Sequence, residues 1–136
     1  MDSEEIFIVR KFVDAINEGN ASRLSNLMSV DHMFVDSRGT TDCGRDKIRK
    51  GWEKYFQMFP DYNIEIQNIL QDGNLVAAFG LASGTYNGMR GLVPENRIEM
   101  PAAWKAIVEN GKVKFWQVYA DWTEGWRIIS EDTDKG

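Results

Sequence analysis

The feature that most constrains this chain is a change of hydrophobic period at Pro60. Before it, Ile48, Trp52, Tyr55, Phe56 and Phe59 recur at helical spacing and form one apolar stripe over residues 46–59, and Pro60 ends that helix by clashing with the preceding turn. After it, YNIEIQNIL, NLVAAFGLASGTY, MPAAWKAIVEN and KVKFWQVYADW alternate with a period of two, the pattern of strands with one buried face. The joins QDGN and ENGK carry Asp-Gly and Asn-Gly, which favour tight hairpins, whereas YNG opens a longer connection through Pro94.

Upstream, Asp2, Ser3, Glu4 and Glu5 place caps and negative charge at a helix start, and Ile6, Val9, Val13 and Ile16 continue it to Gly19. Asn20 caps a second short helix with Leu24, Leu27 and Met28, and HMFVD then runs extended. The expected fold class is α+β: a curved antiparallel β-sheet wrapped by three N-terminal helices into a cone with an opening. With 136 residues the chain makes one domain, 1–136, with an ordered core over about 4–128 and a polar, frayed tail at 130–136.

Charge and composition remove several classes of function. The formal net charge is −5 and no basic run is interleaved with aromatics, so a nucleic-acid partner is not expected. Apolar runs of a few residues do not span a membrane, and MDSEEIFIVR lacks the basic-then-apolar order of a signal peptide, so a cytoplasmic address is expected. A single cysteine, Cys43, forms no internal disulfide and fits a reducing compartment. One histidine, His32, makes no metal site, and phosphate-loop and nucleophile-elbow motifs are absent, so neither metal nor cofactor is expected.

Chemistry therefore concentrates on FVDSRG, where Asp36 interrupts an apolar strand. Asp before Ser-Arg-Gly reads either as a turn residue, in an Asx-turn or paired with Arg38, or as an acid/base whose pKa rises by desolvation in an apolar cavity. Possible companions are Tyr55, Tyr86, Tyr119, Trp104, Trp116, His32 and Asp121, the last reaching inward only across a bulge. Arg97 and Glu99 read as a surface ion pair, Cys43 as structural, and His32 as a cap or a solvated side chain near the end of the second helix. The aromatic residues form a core or, with one side left empty, the lining of a pocket for a flat hydrophobic ligand.

The order of elements, with KFVDAINEGN, DHMFVDSRGTTDCGRDKI, FPDYNIEI, GTYNG and ENGKVKFWQVYAD, resembles the SnoaL-like branch of the nuclear-transport-factor-2-like superfamily over roughly residues 4–122. The resemblance implies a cone-shaped α+β barrel with an apolar pocket and a homodimer formed through the outer face of the sheet. The family includes polyketide cyclases, ketosteroid isomerases, epoxide hydrolases, dehydratases and members without catalysis. Asp36 aligns with the general base of the ketosteroid isomerases, but their oxyanion donors fall near Phe12 and Ala103, which cannot donate. The epoxide-hydrolase groups fall on Gly80, Ala82 and Val118, and the cyclase acid/base and its histidine on Val118 and Trp104.

The resulting expectation is a cofactor-independent isomerase, cyclase or dehydratase acting on a hydrophobic small molecule. Asp36, Tyr119 and Asp121 would be catalytic, and Phe34, Trp52, Tyr55, Trp104, Trp116 and Val118 would bind substrate. The alternative is a non-catalytic module of the same fold that binds a small molecule or a protein.

Overall fold

Helix α1 (Glu4–Asn17) starts where the Ser3 hydroxyl accepts a hydrogen bond from the Ile6 amide at 3.1 Å, and α2 (Ala21–Asn26) where the Asn20 side chain accepts one from the Arg23 amide at 3.0 Å. Both caps satisfy donors that a helix start otherwise leaves free. The structure is a computed structural model and describes residues 2–135. The remaining elements are β1 (Met28–Val35), β2 (Thr41–Cys43), α3 (Arg45–Met58), β3 (Asn63–Asp72), β4 (Leu75–Thr85), β5 (Arg97–Glu109), β6 (Lys112–Ala120) and α4 (Thr123–Lys135). Among the described residues no helix is long and apolar enough to cross a membrane.

The six strands form one sheet in the order β2-β1-β6-β5-β4-β3. Its hairpins are antiparallel, and at the β5–β6 turn Asn110 and Gly111 both take positive φ, 52° and 72°, as the Asn-Gly dipeptide predicts. Among the described residues one strand pair is parallel, β1 with β6. Most of the chain separates those two strands, so no tight turn dictates their relative direction.

Curvature comes from a bulge in β3 between Ile66 and Asn68, opposite Gly80 of β4. A Cβ on Gly80 would lie 1.8 Å from the Glu65 carbonyl oxygen, so the bend requires that this position have no side chain. The concave face receives α1, whose Val9, Phe12 and Ile16 are buried against Trp104 and Trp116. At the free edge, Asn17 donates to the Ile64 carbonyl and accepts from the Ile64 amide at 3.0 and 2.7 Å, which ties α1 to β3 and covers part of an otherwise open strand.

The expectation of a frayed tail at 130–136 is corrected, because residues 130–135 continue α4; Gly136 lies outside the described residues. Trp122, Trp126 and Ile129 share one side of this stretch, while Ile128 and Asp132 are buried on another. Asp132 accepts hydrogen bonds from the Met89 amide (2.6 Å), the Arg90 amide (2.9 Å) and Asn96 Nδ2 (2.9 Å), and lies 3.4 Å from Arg90 Nε. One buried carboxylate thus fastens the last helix to the β4–β5 connection, which a reading of average polarity in SEDTDKG could not detect.

Candidate functional site

The mouth of the cone is a cavity of about 630 Å³ between α3, the turn after β1 and α4. Its wall exists because the stripe on α3 faces the sheet opening rather than filling it. Trp52 meets Phe34 edge-on with ring centroids 5.9 Å apart and Tyr55 at 5.7 Å, and Tyr55 meets Tyr62 at 4.9 Å. On the α4 side, Phe59, Trp122 and Trp126 follow at successive spacings of 6.0 Å. Val118 and Ile129 complete an apolar lining interrupted by two phenols.

Burial pushes Tyr55 well above its ordinary 10.0 and Tyr62 up to about 12. Both stay protonated near neutral pH and can donate to a carbonyl, ether or alkoxide oxygen in the cavity.

Asp36 stands at the cavity's edge, where its Oδ1 accepts from the Arg38 and Thr40 amides at 2.9 and 3.0 Å, and the Asp36 amide donates to the Thr40 carbonyl. This is the Asx-turn geometry that joins β1 to β2. The other carboxylate of the margin, Asp42, pairs with Lys47 at 3.0 Å.

Of the remaining site residues expected from sequence, Phe34, Trp52, Tyr55 and Val118 line the same cavity. Four others do not, and the corrections have simple causes. Tyr119 follows an inward Val118 on β6 and therefore points to the convex face, 47% exposed and opposite Ala103. Asp121 is exposed and accepts from the Thr123 amide (2.9 Å) and hydroxyl (2.6 Å), an Asx-turn that opens α4 and holds its carboxyl below the usual range. Trp104 and Trp116 point into the closed end of the cone, 2% and 0% exposed, where they pack the core.

His32 is also corrected, since it is wholly buried in β1, with Nδ1 2.6 Å from the Val113 carbonyl, rather than capping α2. Arg97 and Glu99 form the exposed pair expected of them. Sequence reasoning missed Tyr62, Trp122, Trp126 and Ile129. The last three sit at helical spacing in the sequence, whereas Tyr62 shares the two-residue period of Ile64 and Ile66 but lies in the turn before β3.

Comparison with known proteins places the fold in a family. The family model for the SnoaL-like domain matches residues 9–116. Among solved structures, a SnoaL-like protein from Jannaschia sp. CCS1 is 15% identical, with 96% of this chain and 97% of that one aligned at a TM-score of 0.81. An epoxide hydrolase from M. tuberculosis is 14% identical over 96% and 92% of the two chains, TM-score 0.77. A ketosteroid-isomerase-like protein from Catenulispora acidiphila, solved with trimethylamine, is 22% identical over 82% and 83%, TM-score 0.73. No curated protein sequence matches the chain.

Proposed function

The chain belongs to the SnoaL-like domain family, and we propose that it uses the cavity at the mouth of its cone to bind a flat, hydrophobic small molecule, without a carboxylate serving as general acid/base. One observation carries this reading: the carboxylates bordering the cavity are already engaged, Asp36 by two backbone amides and Asp42 by Lys47, while the interior offers aromatic rings and two neutral phenols. Such a lining recognises ring faces and orients one or two oxygen atoms. The test is titration with a neutral aromatic probe, N-phenyl-1-naphthylamine, followed by tryptophan emission. Saturable binding that Val118→Phe weakens, by filling the cavity from its floor, is expected. Binding unchanged by that substitution, or none, would discard the reading.

A second reading is favoured by a specific feature of the same turn. Both hydrogen bonds to Asp36 use Oδ1, and among the described residues Oδ2 has no partner, so one oxygen at the cavity edge is free to move a proton. In this reading the protein is an isomerase, cyclase or dehydratase, with Asp36 as base and the Tyr55–Tyr62 pair holding the oxyanion. Asp36→Asn then abolishes turnover of a bound ketone or polyene while leaving its affinity intact; equal turnover rules the reading out.

The convex face supports a further element of the proposal, association with a second copy. Phe79 and Tyr119, 43% and 47% exposed, flank Ala103 across adjacent strands. Sedimentation at the mass of a dimer, reduced to a monomer by Tyr119→Lys, is the expected result.

A further inference from the structure

The margin of the cavity is charged in the opposite sense to the rest of the protein. Arg38, Lys47, Lys50 and Lys54 border it against Asp36 and Asp42, a local balance of +2 on a chain whose formal net charge is −5. Most cations elsewhere are occupied: they pair with carboxylates, as Arg10, Arg23 and Arg127 do, lie over rings, as Lys11 and Lys105 do, or donate to a carbonyl, as Lys112 does. Among the described side chains, those with none of these partners are Arg38, Arg45, Lys50 and Lys54, and of these only Arg45 lies away from the cavity. Unpaired cations are therefore concentrated where a ligand would enter.

The helix beneath them is also bare. Gly51 sits between Lys47 and Lys54 on the flank of α3 that borders the cavity, and a Cβ there would meet nothing within 4 Å. Glycine is the poorest residue in a helix interior after proline, and neither packing nor a positive φ accounts for it here. Its effect is to leave a slot in which a ligand can lie against the helix backbone between the lysines.

We propose that the ligand of this cavity is an amphipathic acid, with an aromatic or polyene body among Trp52, Tyr55 and Trp122 and an anionic end, carboxylate or sulfonate in kind, held by Lys50 and Lys54 beside the slot at Gly51. This rests on the binding reading above and narrows it to a charge class. The two lysines stand one turn apart, so a single anionic group can reach both. Exposed ion pairs contribute about 0.2–1 kcal/mol each, so two of them give roughly a twofold to thirtyfold preference for the acid over its neutral counterpart.

The experiment uses two probes that share an aromatic body: 8-anilinonaphthalene-1-sulfonate and the neutral N-phenyl-1-naphthylamine, titrated into the full chain. At about 10 mM salt, where screening is weak, the sulfonate binds more tightly; at about 1 M salt the difference disappears. Lys50→Gln/Lys54→Gln removes the preference without changing affinity for the neutral probe, and Lys50→Arg/Lys54→Arg retains it. Equal affinities of the two probes at low salt, or a preference that survives the double glutamine variant, would overturn the proposal. Loss of neutral-probe binding to the wild type would instead remove the underlying reading, so the two failures are distinguishable.

Discussion

Two glycines, Gly51 and Gly80, give opposite predictions for the same substitution. At Gly51, in the interior of α3, an added Cβ has open space around it and the backbone lies outside the positive-φ region. Gly51→Ala therefore yields the full difference in helix propensity, a gain of about 0.8–1.0 kcal/mol, or a Tm raised by roughly 3–5 °C for a domain of this size. At Gly80 the same Cβ would sit 1.8 Å from the Glu65 carbonyl oxygen, inside van der Waals contact with backbone that cannot rotate away. Gly80→Ala must straighten or displace the β3 bulge, at a cost of about 3 kcal/mol or more. Urea unfolding followed by tryptophan fluorescence, fitted with a common slope, reads both changes. If Gly51→Ala destabilises, the groove flank is packed rather than open and the argument for a ligand slot fails with it. If Gly80→Ala is neutral, the bulge is not what curves the sheet.

The buried imidazole of His32 makes stability depend on pH. Desolvation holds it below its ordinary 6.5, against the opposing pull of the Val113 carbonyl and Asp31, so the unfolded chain binds a proton that the folded one refuses. His32 therefore favours folding fully above about pH 6.5, and that contribution is lost as pH falls below it, a urea midpoint decreasing with acidification being the check. Asp132→Ala leaves the Met89 and Arg90 amides and Asn96 without their acceptor, so hydrogen exchange is expected to accelerate together in α4 and in residues 89–96. Exchange rising in only one of these segments would show that the carboxylate does not join them. Phe12→Ala empties a wholly buried site against Trp116, with ring centroids 4.8 Å apart, and is expected to cost about 3–5 kcal/mol in chemical denaturation. Asp36→Ala removes an acceptor from two turn amides and should cost about 0.5–2 kcal/mol, with a larger loss indicating that the turn supports more than itself.

Much of the site was legible because side-chain period and face are local properties. Phe34, Trp52, Tyr55 and Val118 were expected in one pocket and share one cavity, since a helix stripe and an alternating strand commit their apolar sides before any neighbour is known. The errors lie where the period alone gives no depth. Trp104 shares the inward face of β5 with Ala102 but points into the closed end of the cone, and the same alternation that sends Val118 inward sends Tyr119 outward. Asp36 illustrates a different limit: its Asx-turn and its place at the cavity edge are both real, and sequence offered them as alternatives.

By itself the sequence determined the α+β order, the break at Pro60, the two Gly-containing hairpins and the identity of the aromatic stripe, because each follows from interactions within a few residues. Only the tertiary structure decided that α4 closes one side of the cavity, that Asp132 fastens it, and that three unpaired cations gather at one margin. These depend on residues from 38 to 132 meeting across the cone, and a long-range meeting is set by packing, which leaves no periodic trace in the chain.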